Sequence, residues 1–275
     1  MQIAFQREIN QMADAPDFKS NDIFYWLNEA VSKFVKTRYA GINFKAESFE
    51  QTQKRIDDLR TLVDEERLTL ADGTANVNKP YSRVGDLTGL SDDYWITLGE
   101  QVLLAFVGLT DSTSVVASGD LVIGSIYKVT VATLTHNAVI YNVGDYFVAV
   151  NANYTGNGSA VLGSSRREGV TECTIDNYTQ LLDDPYSEHI LHYDRAKPLR
   201  LFYQDTVELI GDGNYGIIYY YLRYLKEPVV VTLAVDCDLP NHTHTEIVKM
   251  AVNMSLENLK DPRYQSQTQE VSTME

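Results

Sequence analysis

Four groups of residues in this chain are of the types that carry out chemistry. Two are carboxylate pairs, Asp92-Asp93 and Asp183-Asp184. General acid–base work on a substrate needs two carboxyls converging from opposite sides, whereas neighbours along a strand point to opposite faces. Both pairs therefore read as solvated turn carboxylates. The third group is His242-x-His244 beside Asp236, Cys237 and Asp238. These are metal-ligand types, but they straddle Pro240 and a helix start, and no second ligand pair stands elsewhere. The fourth, Ser187, Glu188, His189 and His192 near Asp194, contains nucleophile and base types with no G-x-S-x-G elbow to expose the serine. Gly211-Asp212-Gly213 sits between two strand-like stretches, so no helix N-terminus follows to receive a phosphate. Cys173 and Cys237 belong to no C-x-x-C pattern, which indicates neither a disulfide nor a zinc site. The expectation is a protein that is not an enzyme, with no catalytic residue, no cofactor and no bound metal.

Charge narrows the partners. The 275 residues carry a formal net charge of −15, so the molecule as a whole repels phosphate backbones and anionic membranes. Stable wrapping of nucleic acid is not expected, while transient passage of DNA through a ring is compatible with a repulsive wall. Basic residues gather at Ser165-Arg166-Arg167 and in HYDRAKPLR (192–200). In an acidic protein these read as docking charges for an acidic partner face. The longest apolar runs, such as VVVTLAV (229–235), are far too short to span a bilayer, and the N-terminus has no signal-peptide pattern. Synthesis in a cytoplasm is expected. Eighteen tyrosines suit β-rich surfaces that touch other surfaces, because the ring is apolar and its hydroxyl tolerates water.

The elements that must position these groups divide the sequence. Ser20 is a plausible N-cap for a helix in which Ile23, Leu27, Ala30, Val31 and Phe34 recur at helical spacing. Glu47 to Leu68 predicts a second, highly charged helix on a thin stripe of Phe49, Ile56, Leu59 and Val63, joined to the first by a turn at Gly41-Ile42-Asn43. From about Leu68 short apolar stretches alternate with Gly, Asn, Asp and Pro, which predicts strands. LRLFYQDTVELI (199–210) and GIIYYYLRYL (216–225) flank GDGN as a β-hairpin would, and Val229 to Val235 reads as a further buried strand. Thr243 and Glu246 form an S/T-x-x-E capping pair for a closing helix that carries Ile247, Val248, Ala251, Val252, Met254 and Leu259, and Pro262 forbids its continuation.

The fold class expected is α+β: an N-terminal helical hairpin (1–67) and a C-terminal helix (241–262) packed with an antiparallel β body (68–109 plus 164–240). That body carries an inserted small all-β module (110–163), nearly free of charge and rich in Gly, Val, Asn, Ser and Tyr. An extended tail, 263–275, has too few apolar residues to build a core.

Several phrases taken in order, WLNEAVSKF, RIDDLRTLV, LSDDYWITL, the DDPY turn and LPNHTHTEIVKMAVNMSLE before DPRYQ, resemble structural proteins of tailed bacteriophages. More narrowly, the chain resembles the ring or head-to-tail adaptor (connector) proteins stacked beneath the portal in crAss-like phages of gut Bacteroidales. SGDLVIGSIYKVT, VIYNVGDYFVAV and YTGNGSAVL are similar to a small β module recurrent in phage virion proteins. The resemblance implies a non-enzymatic subunit of a closed homo-oligomeric ring, a dodecamer, in the neck or tail of the virion. Its implied partners are the portal protein and other ring or tail proteins, with DNA passing through without stable binding and no membrane involved. The residues expected at contacts between subunits are Arg263, Tyr264, Arg166, Arg167, Arg55 and Asp58. Two other readings stand beside this one: a carbohydrate- or receptor-binding tail protein that uses the inserted module, and a tail hydrolase, which would need two convergent carboxylates in a cleft.

Overall fold

The longest helix forms where the apolar period is clearest. The structure, a computed structural model, describes residues 1–10, 18–40, 53–73, 81–107, 114–191 and 195–259. Helices α1 (Gln2–Asn10), α2 (Ser20–Ala40) and α3 (Gln53–Leu59) come first, followed by strands β1 (Val63–Asp72), β2 (Tyr81–Asp86) and β3 (Tyr94–Phe106). Short strands then follow closely: β4 (Val115–Val116), β5 (Ile126–Val129), β6 (Leu134–His136), β7 (Val139–Tyr141), β8 (Tyr146–Val148), β9 (Thr155–Gly156) and β10 (Ala160–Leu162). After them come β11 (Ser164–Glu168), β12 (Thr171–Glu172), α4 (Tyr178–Asp183), β13 (Leu199–Phe202), β14 (Thr206–Gly211), β15 (Gly216–Lys226) and α5 (His244–Asn258). The protein is α+β. It packs as two units, one drawn from both chain ends (Met1–Asp64 and Leu225–Glu275) and one from the middle (Glu65–Tyr224).

In the unit made from the chain ends, α2 and α5 pack on each other and α1 packs on both. Ile23, Leu27, Ala30, Val31, Phe34 and Val35 of α2 are buried, as are Ile247, Val248, Ala251, Val252 and Leu256 of α5. Each large side chain of this kind contributes about 1.5–3 kcal/mol on burial. Met254 is half-buried and Leu259 is exposed, so the apolar stripe of α5 is narrower than its sequence implies. Helix α1 was not expected, although Phe5 and Ile9, both buried, stand one helical turn apart.

Three expectations are corrected here. The charged helix expected to run to Leu68 ends at Leu59, continues as a 3-10 turn (Arg60–Leu62) and becomes β1 at Val63. Leu68 is buried while Arg67 and Thr69 beside it are exposed, the alternation of a half-buried strand. The segment Val229 to Val235 is no strand. Asn28 captures its backbone, accepting from Val231 N–H at 2.8 Å and donating to Val231 C=O at 3.1 Å. Beyond it Thr232 closes a turn on Val235. The capping pair also fails, because the Thr243 hydroxyl donates backwards to Pro240 C=O at 2.8 Å. The Gly41-Ile42-Asn43 turn and the tail beyond Pro262 lie outside the described residues.

The middle unit is built on an eight-stranded sheet in the order β11-β3-β15-β1-β2-β14-β13-β12. The pairs β11–β3, β1–β2, β2–β14 and β14–β13 are antiparallel, and β12–β13 is parallel. The GDGN connection is therefore not a hairpin: β14 pairs with β2 and β13, and Gly213, at φ +86°, turns the chain toward a distant strand. One face of the sheet carries a core of Leu68, Val102, Leu104, Val207, Leu209, Tyr220, Leu222 and Tyr224, and Ile217 belongs to the same buried cluster. Arg200 of β13 donates to Glu100 of β3 at 2.6 Å, although four strands separate them in the sheet order. The sheet therefore curls around this core. On the outer face, α4 lies over Leu199, Leu201 and Ile210 through Tyr178, Leu181 and Leu182.

Between β3 and β11 the chain forms two small sheets, β4-β10-β5-β8 and β7-β6-β9. They enclose a separate apolar core of Leu121, Tyr127, Val129, Leu134, Phe147, Ala149 and Ala160. His136 is buried here between two backbone groups, Asn153 C=O at 2.8 Å and Val150 N–H at 3.0 Å. The module meets the large sheet where Tyr146 lies over Gly216; a Cβ at Gly216 would come within 2.5 Å of that ring. Burial pushes the Tyr146 hydroxyl up to about 12.

Candidate functional site

Buried charge marks two places, one in each unit. In the helical unit Arg38, in the last turn of α2, is 2% exposed. Its guanidinium pairs with Asp58 of α3 at 3.1 Å and donates to Glu246 of α5, and it lies 4.8 Å from the Phe34 ring centroid. The other Asp58 oxygen meets His242 Nε2 at 2.9 Å. One cation thus ties three helices, two of them more than two hundred residues apart in sequence. Removing one partner from such a cluster leaves an uncompensated charge in a low-dielectric interior.

This cluster corrects two of the expected contact residues. Arg55 and Asp58 are 3% and 1% exposed, so both belong to the interior of this unit and neither is a surface contact. It also accounts for the paired histidines. His242 faces Asp58 and His244 Nε2 reaches Leu239 C=O at 3.0 Å, so the two rings serve different backbone and side-chain partners. Among the described residues no group of three or more His, Cys, Asp or Glu is arranged to hold a metal ion.

In the middle unit, Arg200 and Glu100 form a two-pronged pair at 2.8 and 2.6 Å, with Glu172 at 3.0 Å from the same guanidinium. Burial works against the Arg200 charge, but the Glu100 hydrogen bond and charge outweigh it and raise its pKa. Ser187 and His189 are also close, with hydroxyl and Nδ1 2.8 Å apart. That geometry is structural. Both are buried, Glu188 is spent on the Thr171 hydroxyl at 2.7 Å and on Lys197 at 3.2 Å, and Tyr215 donates to His189 C=O at 2.9 Å. Burial holds the His189 imidazole below its usual range. His192 and Asp194 lie outside the described residues.

The remaining polar concentration is on the outer face of the curled sheet. Strand alternation sends Tyr220, Leu222 and Tyr224 into the core and turns Tyr219, Tyr221 and Arg223 outward. Arg167 of β11 stacks over Tyr221, with Cζ 4.0 Å from the ring centroid, and Arg67 of β1 stacks over Tyr219 at 4.4 Å. Arg223 pairs with Glu65 at 3.0 Å. Below them a hollow of about 160 Å³ is lined by Glu65, Gly99, Glu100, Gln101, Tyr221 and Arg223. At Gly99 a Cβ would meet nothing within 4 Å, so the hollow is open there. A guanidinium stacked on a ring keeps its in-plane N–H donors free for a carboxylate or phosphate.

The chain matches no family model and no curated protein at a significant level. Of the expected contact residues, Arg167 is exposed on this face, while Arg166 is half-buried beside Glu168 at 3.7 Å. Arg263 and Tyr264 lie outside the described residues. The sequence reading missed Arg67 and Tyr219. The signal was present in the alternation of Glu65, Arg67 and Thr69 with Glu66, Leu68 and Leu70, which a helical reading of the same residues conceals. Among the described residues no helix is long and apolar enough to cross a membrane.

Proposed function

We propose that this chain is a structural, non-enzymatic subunit acting in many copies as a ring in the neck or tail of a tailed-phage virion, beneath the portal, around the path of the DNA. The observation that carries the reading is where apolar side chains remain in water. Nine of the nineteen large apolar side chains exposed among the described residues fall between Val115 and Leu162, including Val122 at 62%, Ile123 at 68%, Val131 at 66% and Ile140 at 68%. A second group, Val230 at 65% and Leu233 at 86%, projects from the segment held by Asn28. Exposed aliphatics in such number suit surfaces that are covered in an assembly. The resemblance to phage ring proteins and the net charge of −15, which disfavours DNA sticking to a channel wall, point the same way.

The carbohydrate-binding alternative draws no support from the module's rings. Tyr127 and Phe147 are buried, and Tyr141 and Tyr154 pack against the same core, so the aromatic faces a sugar would stack on are turned inward.

Mass photometry and negative-stain micrographs of the purified full chain test the proposal. A discrete closed multimer of fixed copy number is expected. A chain that stays monomeric up to tens of micromolar and is missing from virions sinks it.

A further inference from the structure

Two features of the middle unit complement each other and lie on different parts of its outer surface. The first is the stacked pair Arg67 and Arg167. Both side chains are exposed, both set the guanidinium carbon over a tyrosine ring, and among the described residues neither has a carboxylate partner. The second is the turn Asp183-Asp184-Pro185-Tyr186 that ends α4. All four residues are exposed, Tyr186 at 86%, and the turn is stiffened by Tyr186 N–H donating to the Asp184 carboxylate at 2.9 Å. The arginines stand on β1 and β11, whereas α4 lies over β13 and β14, so different stretches of the curled sheet present the basic and the acidic feature.

The geometry points to a head-to-tail contact between copies of this chain, in which the guanidinium edges of Arg67 and Arg167 receive the acidic turn Asp183-Asp184-Pro185-Tyr186 of the next copy. The contact presupposes the assembly reading above. Charge argues for this occupant: a planar guanidinium clamped on a ring loses little freedom when it binds a carboxylate bidentately. The chain, with 38 acidic against 23 basic residues, supplies that acidic surface itself. A single-stranded nucleic acid fits less well, because the arginines already occupy the ring faces on which bases would stack. A contact between two different patches is heterologous, the kind that closes into rings when the rotation per subunit allows.

The test uses the full chain and two charge-reversed forms, Arg67→Glu/Arg167→Glu and Asp183→Arg/Asp184→Arg, each checked for an unchanged melting transition. In sedimentation velocity each variant alone is expected to self-associate more weakly by on the order of a hundredfold, because like charges now face each other. An equimolar mixture is expected to recover assembly, since every acidic face then meets a basic one. Arg67→Lys/Arg167→Lys, which keeps charge but loses the flat stack, is expected to fall between. If the wild type forms rings and the folded variants do so equally well, this contact is wrong and the ring reading stands. If the wild type stays monomeric at every concentration, both fail. Binding of a poly-dT oligonucleotide to the wild type that is lost in Arg67→Glu/Arg167→Glu would assign the face to nucleic acid and overturn the proposal.

Discussion

The helical unit and the small β module reach stability by opposite routes. The helical unit joins the two ends of the chain and sets a buried cation, Arg38, among three helices. The module is local, with strands of two to four residues and turns supplied by Gly119, Gly124, Asn137, Ala138, Gly144 and Gly156 at positive φ. Its core of Tyr127, Phe147 and aliphatics is closed by ring packing, with Phe147 5.1 Å from Tyr141 and 4.9 Å from His136. Long-range order in the first comes from charge that must be matched. In the second it comes from backbone conformations that few residues accept.

Arg38→Ala carries the largest expected effect. It strands Asp58 and Glu246 without their shared cation and should remove about 3–5 kcal/mol from the helical unit, read as a lower urea midpoint. Hydrogen exchange in the module is expected to stay unchanged; if the module loosens equally, the two regions are not separable. Phe147→Ala is the mirror experiment and should cost about 3–4 kcal/mol, seen as lost protection confined to Val115 to Leu162 while α2 and α5 remain protected. Asn28→Ala should cost about 1–2 kcal/mol by leaving the Val231 peptide without its partner, measured by thermal melting. Ala138→Gly sharpens the comparison from the favourable side. Ala138 sits at φ +63°, so glycine should raise stability by roughly 1 kcal/mol, and an unchanged or lower melting point would show that the turn is not strained.

Legibility in the sequence followed the same division. Helices α2 and α5 were readable because their apolar residues repeat at helical spacing on one side. The module was readable as a β segment from its Gly and Asn turns. Strand β1 was not, because VDEERLTLAD carries charges that suit a solvated helix as well as a strand exposed on one face. The turn at Gly213 was recognised, yet its partner was not, since a positive φ permits a sharp change of direction without specifying which strand lies beyond. Arg55 and Asp58 were misplaced on the surface. Asp58 pairs with Arg38 and meets the His242 ring, twenty and 184 residues away in sequence, and no spacing rule reveals such a pairing. Half of the proposed contact was visible in Arg167; Arg67 was hidden by the helical reading of its strand.

The joining of both chain ends in one unit also sets a clock on folding. Helix α2 is complete once Ala40 has left the ribosome, but α5 begins only at His244. At about 5–20 residues added per second that gap lasts roughly 10–40 s. During it Leu27, Val31 and Phe34 have no α5 to cover them and Arg38 has no Glu246, and by its end every residue of the middle unit has emerged. The sheet and its module can therefore form first, with the helical unit closing last. A chain cut short before His244 would be released with an open helical face, exposed to proteases.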